Sequence, residues 1–406
     1  MERKSVLHPA EFLLPAEGVD LTAWSVVACD QFTSEESYWK ELAAFVGDKP
    51  SALHIILPEI YLGEKDRLAP AAAAKMKEYI DTGVLKKTPA GLILTIRRTP
   101  YCARRIGLVG AIDLEAYEYA AGSRALVRAT EGTIAARIPP RLEIRKQAPA
   151  EFPHIMILYD DETRSINEAL YEARGKFPKI YDFDLNMGGG HLEGYFISDC
   201  EEILAKFASL ASKERSLQKY GDGAPFLFAV GDGNHSLATA KEHWNLIKKT
   251  LGEKERETHP ARYCLAEIVN VYDEGIRFEP IHRFVSGVDK AAFERGAEAL
   301  EGAAFTFAEG KNHAGKDSLP ASIAAADRYI EDYIAAHGGK VDYVHGDENL
   351  RALVAADKTA SGICFAPMEK SELFAYVSKH GALPKKTFSM GEGVEKRYYL
   401  EGKSIQ

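Results

Sequence analysis

Five consecutive residues, Gly231-Asp-Gly-Asn-His235, concentrate more chemistry than any other stretch of this 406-residue chain. Asp232 and His235 can carry a proton, and Asp232 can also hold a metal ion. Asn234 and the following Ser236 can hydrogen-bond a ligand. Gly231 and Gly233 allow positive φ and close approach of a ligand to the backbone. Residues of these types in a tight turn suit an anion, most often a phosphate, with groups at hand for proton transfer. A structural reading stands beside this one: Asn234 or Ser236 simply caps a helix.

The flanking residues say what must position the turn. Phe226 to Val230 is a short apolar run that reads as a strand buried on both faces. Leu237, Ala240 and Trp244 recur at helical spacing, so a helix begins near His235. A strand, a glycine turn and a helix N-terminus together leave free N–H groups at the positive end of a helix dipole.

Other candidates lie elsewhere in the chain. Asp30 follows an apolar stretch, 23–28, read as a strand, and active-site carboxylates often sit at such strand ends. A turn-forming Asp is the commoner explanation. From Arg124 to Lys146 six basic residues face two acids, Glu131 and Glu143. Pro139-Pro140 pre-sets a helix start, which puts Arg141 and Arg145 on one face. Arginines such as Arg128 and Arg141 can clamp phosphate or carboxylate in a fork, or can line a solvated face. Glu131 is a base, a metal ligand or an ion-pair partner for them. His282-Arg283 follows a strand and offers a second anion clamp, or pairs with Glu267 or Glu279. Lys386 lies in a Pro-led loop, Leu383 to Phe388, with a second lysine and a hydroxyl that suit a phosphate. Asp160-Asp161 reads as a turn, and His191 stands at the mouth of a strand behind three glycines.

The alternation of strand and helix patterns predicts an α/β (α+β) fold with mixed sheets and flanking helices. Further strands are expected at 54–58, 92–97, 105–110, 153–159, 263–272 and 278–283. Length calls for more than one domain. Three lobes are expected: 1–150 with the basic segment, 151–308 with the glycine turn, and 309–406 after a linker signal at Gly310–Pro320.

Composition excludes several classes. Net charge is −9, with 51 basic and 60 acidic residues, which argues against nucleic acid as a partner. No apolar run nears the roughly 18 residues of a membrane span, and the N-terminal residues lack a secretory core. Five cysteines stand singly, so a disulfide framework or zinc knuckle is not expected and a reducing, cytoplasmic setting is. A homo-oligomer is compatible with the sequence, which does not specify one.

In order along nearly its whole length, the chain resembles an uncharacterised bacterial family, domain of unknown function 1015, linked to the ParB and sulfiredoxin superfamily. The resemblance is carried by Val127-Arg-Ala-Thr-Glu131, His191, Gly231-Asp-Gly-Asn-His235, Glu267-Ile-Val-Asn270, Pro280-Ile-His-Arg283 and Pro384-Lys-Lys-Thr387. It implies a ParB/sulfiredoxin-like core with additional lobes, and a turn that holds nucleotide phosphates. Some members of that superfamily transfer a phosphoryl group to free serine. The family's usual central motif resembles Asp-Gly-His-His-Arg, whereas this chain has Asn234 and Ser236 in place of a His and the Arg. Arg128, Arg141, Arg283 or Lys386 must then fill the gap.

The favoured reading is an enzyme of phosphoryl transfer or phosphate-ester hydrolysis on a small molecule, with Mg²⁺ and a nucleotide as expected cofactors. Asp232 or Glu131 would hold the metal, and His235 or Asp30 would act as base. The alternative is a non-catalytic sensor of a phosphorylated or carboxylate metabolite using the same pocket.

Overall fold

A computed structural model describes residues 5–27, 32 and 35–406. The fold is mixed α/β, and the chain divides into two compact units. One comprises residues up to Ile276 together with Glu392–Gln406; the other is Arg277–Gly391. The linker signal at Gly310–Pro320 lies inside the second unit.

The first unit is built on an eleven-stranded sheet. Its long antiparallel pair, Leu85–Arg98 and Arg105–Asp113, continues into Tyr263–Asn270, then Met156–Tyr159, then Phe228–Asp232, then Val127–Ala129. Phe228, Ala229 and Val230 are wholly buried, as expected of a run apolar on both faces. Burying a side chain of the size of Phe or Val contributes roughly 1.5–3 kcal/mol. One face of the sheet packs against Leu237, Ala240 and Trp244 of helix Asn234–Ile247, with Ile157 and Val230 in the same core. The opposite face carries a second core that includes Ile93, Val109 and Leu265.

Two expected strands are absent. The described part of 23–28 holds the end of a short helix, Leu21–Trp24, and an isolated bridge from Val27 to Tyr398. Asp20 caps that helix, its Oδ1 accepting the Ala23 N–H at 3.1 Å, and this local bond overrides the strand pattern. Residues 52–54 form a 3-10 turn capped by Ser51 Oγ, which accepts from Leu53 N at 3.2 Å.

The second unit is a six-stranded sheet with Phe278–Ser286 paired to Lys340–His345 on one side and Ser361–Cys364 on the other. Phe293 and Ile330, from helices Lys290–Ala297 and Leu319–His337, fill a core with Phe305 and Ile363. Among the described residues no helix is long and apolar enough to cross a membrane. The four described cysteines are buried and unpaired by disulfides.

Candidate functional site

The glycine turn is shaped by a bulge. Val230 opposes Ile157 on the neighbouring strand, but Asp232 opposes Met156, so Gly231 is the extra residue. Without it, Asp232 would lie two residues on from Val230, on the same face. The bulge instead turns Asp232 to the other face, in line with Met156 and, one strand further, Glu267. Gly233 then takes φ +80°, and a Cβ there would stand 3.0 Å from the backbone of Ile155. Glycine is required on both counts.

Helix Asn234–Ile247 starts directly after Gly233 and has no side-chain cap. Ser236 lies half-buried in the first turn without capping it. The first N–H groups of that turn therefore have no intrahelical acceptor, at the positive end of the helix. Two buried side-chain oxygens of the same turn, Asp232 Oδ2 and Asn234 Oδ1, have no hydrogen-bond partner among the described residues. Asp232 Oδ1 is engaged, accepting the Gly233 N–H at 2.8 Å. Orphaned buried polar atoms are costly, of order 1–3 kcal/mol each, and mark places where a ligand or water completes the bonding.

His235 faces the basic segment. Helix Ile138–Gln147 packs alongside helix Asn234–Ile247. The Ile134 N–H donates to His235 Nε2 at 3.2 Å, which places the ring proton of the neutral form on Nδ1. Burial pushes the His235 pKa below its usual value, and Arg137 and Arg141 push it the same way, against Glu131 and Glu59. The ring is thus neutral at pH 7 and offers Nδ1–H as a donor. Thr130 ties this segment to the end of the buried strand, its Oγ1 donating to the Val230 carbonyl at 2.6 Å.

The same sheet face as Asp232 carries a row of buried charge that sequence reasoning missed. Arg97 and Arg105 oppose each other on adjacent strands, an arrangement that costs energy unless it is compensated. Their guanidinium groups hold the C-terminal segment across the sheet by its backbone. Arg97 donates to the carbonyls of Val394 (2.5 Å) and Lys396, and Arg105 to that of Glu395 at 2.5 Å. Burial, then Arg105, lowers the Arg97 pKa to about 9. The segment so held places the Lys396 ammonium 3.4 Å from Asp232 Oδ2, and Arg397 Nε 3.9 Å from Glu267 Oε2. One signal was available: Arg97 falls in phase with the core residue Ile93 and with Thr95, an inward position.

The remaining expected residues fall as follows. Asp30 lies outside the described residues. Arg128 is buried, with Nε donating to the Ala125 carbonyl at 2.8 Å and its guanidinium 4.4 Å over the Phe226 ring. Arg141 binds Glu59 Oε1 at 2.7 Å and the Arg137 carbonyl at 3.0 Å. Glu131 is among the acids acting on His235. His282, Arg283 and Lys386 belong to the second unit. There His282 Nδ1 accepts the Phe365 N–H at 3.2 Å and Nε2 stands 2.7 Å from Asp347. Arg283 spends all five N–H donors: two on Asp327 and the others on the carbonyls of Ile281, Lys385 and Lys386. Lys386 is itself held with φ 56°. His191 bridges Asp182 and Asp184 at 2.9 and 2.7 Å. Asp161 accepts from Thr163 and Ser165, the bonding of a turn.

The residues fit a protein-held Mg²⁺ poorly. Asp232 is a single carboxylate with an ammonium already against it. Among the described residues the one group of three or more close ligand atoms is His282, Asp347 and Cys364, in the second unit. Even that group suits a cation badly, because the Phe365 N–H at Nδ1 leaves the His282 proton on Nε2, the atom a metal would need.

Fold and site together define a mixed α/β protein in which a helix N-terminus without a side-chain cap directly follows the Asp232 carboxylate. More particularly, the chain belongs to the family described as protein of unknown function (DUF1015), whose model matches residues 13–387. No curated protein matches it. Among solved structures, a conserved hypothetical protein from Pyrococcus furiosus is similar at 10% identity and a TM-score of 0.33, over 69% of this chain and 94% of its own. A free serine kinase in complex with AMP is similar at 9% identity and a TM-score of 0.36, over 73% of this chain and 91% of its own. Likenesses of that size carry no weight for the site.

Proposed function

We propose that the first unit binds a phosphorylated small molecule at the Gly231–His235 turn and transfers or hydrolyses its phosphoryl group. The observation that supports this best is Asp232 Oδ2, a buried carboxylate oxygen with no hydrogen-bond partner among the described residues and an ammonium 3.4 Å away, next to a helix N-terminus without a side-chain cap. Phosphoryl transfer needs these two things adjacent: an anion cradle, and an acceptor for the proton of the attacking hydroxyl. The N–H groups of Asn234, His235 and Ser236 would hold the phosphate, with His235 Nδ1–H as a further donor. Arg137 and Arg141 supply positive potential on that side. As the hydroxyl oxygen bonds to phosphorus, its proton passes to Asp232 Oδ2, and the leaving oxygen departs with the electron pair of the broken P–O bond. Water as the attacking group gives hydrolysis, and a small alcohol gives transfer.

A nucleoside triphosphate is the donor this reading favours, and any Mg²⁺ would arrive on its phosphates. On the same reading the mixed sheet is the ParB/sulfiredoxin-like core that the resemblance implies. Asp232 takes the role of base here, because the lone pair of His235 Nε2 is already engaged by Ile134.

Incubation with ATP and Mg²⁺, followed by assay of ADP and phosphate, tests the proposal. Asp232→Asn is expected to lower turnover about 100-fold or more while circular dichroism shows a folded protein. Undiminished turnover in that folded variant would remove Asp232 from the chemistry. Tight binding with no product would make the same turn a sensor.

A further inference from the structure

We infer that Arg137 binds a second phosphate of the ligand, so that this site takes two phosphates joined by an anhydride bond and not a lone phosphate ester. The inference rests on the phosphate-binding reading of the turn. Of the six basic residues from Arg124 to Lys146, four have head groups taken up by the protein itself. Arg124 binds Asp222 at 2.6 Å, Arg128 the Ala125 carbonyl at 2.8 Å, Arg141 Glu59 at 2.7 Å, and Arg145 Glu151. Lys146 lies in the last turn of helix Ile138–Gln147, where its charge acts on His243. That leaves Arg137, which is exposed and whose guanidinium has no hydrogen bond or ion pair among the described residues.

The backbone of Arg137 is fixed beside His235. The Ile134 N–H donates to His235 Nε2 at 3.2 Å, and the Arg137 N–H closes the same turn on the Ile134 carbonyl at 2.9 Å. The Arg137 carbonyl in turn accepts from Arg141 Nη1 at 3.0 Å, with Arg141 anchored on Glu59. The chain from Thr130 to Ile134 is thus tied at one end to Val230 and at the other to His235, the residues that flank Gly231–Asn234. The charge of Arg137 reaches the ring. After burial it is the largest influence on His235, lowering its pKa ahead of Arg141 and against Glu131 and Glu59. A single phosphate at the helix opening has the N–H groups and His235 Nδ1–H for partners. A second phosphate, joined by one bridging oxygen, extends the anion beyond that opening, and a guanidinium fork fits two of its oxygens. When the bridging P–O bond breaks, its electron pair stays on the departing phosphate, and Arg137 neutralises the charge that collects there.

Calorimetric titration of inorganic phosphate, pyrophosphate and ATP, without Mg²⁺, into the full-length protein, Arg137→Gln and Arg137→Lys tests this. Arg137→Gln should weaken pyrophosphate and ATP about tenfold while phosphate changes less than about twofold, and Arg137→Lys should recover part of the loss. The His235 ring of Arg137→Gln, titrated by NMR, should take up its proton at a higher pH than in the wild type, because a neighbouring cation is gone. A loss with pyrophosphate but not with ATP would keep the second phosphate and assign it to an inorganic polyphosphate. Equal losses for phosphate and pyrophosphate, no loss for either, or an unmoved His235 titration would overturn the assignment and leave the phosphate site standing. If no form of the protein binds phosphate, pyrophosphate or ATP, the site itself is wrong and the role of Arg137 falls with it.

Discussion

Glu267 hydrogen-bonds Thr95 across the strand that separates them, because the residue between is Gly107. The Thr95 hydroxyl donates to Glu267 Oε1 at 3.1 Å, deep in the first unit. A Cβ on Gly107 would collide with that carboxylate oxygen and with Thr95 Oγ1. Gly107→Ala is therefore expected to destabilise the protein by about 2–4 kcal/mol, combining overpacking with a disturbed buried hydrogen bond. Urea unfolding should show a lower midpoint at an unchanged m-value. An unshifted midpoint would mean that Glu267 does not cross the sheet here.

Gly233 meets two demands at once, a positive φ and the close approach of Ile155. Gly233→Ala should cost about 1–3 kcal/mol in stability and also weaken phosphate binding, since the cradle begins at this residue. Thermal denaturation and calorimetry on the same sample read both effects. A variant that is destabilised yet binds phosphate normally would separate the turn from the ligand.

Much of this site was legible because its signals are local. The apolar run 226–230, the two glycines and the helical spacing after His235 each depend only on near neighbours, and the structure has the strand, turn and helix there. Arg283 shows where such reading stops. As a residue type it suits an anion clamp, but Asp327 and the Lys385 and Lys386 carbonyls, which use four of its five donors, lie 44 and about 100 positions further along the chain. Lys396 was invisible for the same reason: it reaches Asp232 because Arg97 and Arg105 pin the C-terminal segment, a long-range arrangement with no local pattern. The described part of 23–28 failed differently, since one short-range bond to Asp20 outweighed a strand-like composition.

His243 gives the protein a specific acid sensitivity. Burial, with Arg145 and Lys146 adding to it, lowers its pKa to about 4 from 6.5. The unfolded chain thus binds a proton here more readily than the folded one, so stability is lost as the pH falls below 6.5 towards 4. The loss is on the order of 3 kcal/mol. Stability measured by denaturant at several pH values should fall less steeply over this window in His243→Gln. Parallel curves would show that the ring is already charged in the folded protein.

Arg283 holds its unit together. Anchored by its fork to Asp327, it donates to the Lys385 and Lys386 carbonyls and so holds the loop that bears them. Arg283→Met should cost about 3–5 kcal/mol by leaving those acceptors without a donor. Arg283→Lys should recover little, because one ammonium cannot serve five acceptors. Hydrogen exchange around Pro384–Thr387 should accelerate in both variants. Unchanged protection would show that the loop is held by other means.

Whether the N–H groups opening helix Asn234–Ile247 receive a phosphate is read most directly by titrating the isotope-labelled protein with ATP and following its backbone amide resonances. The amides of Gly233, Asn234, His235 and Ser236 should shift first and furthest, and inorganic phosphate should move the same set. Saturating ATP that leaves those four amides in place while shifting others would show that the phosphate binds elsewhere.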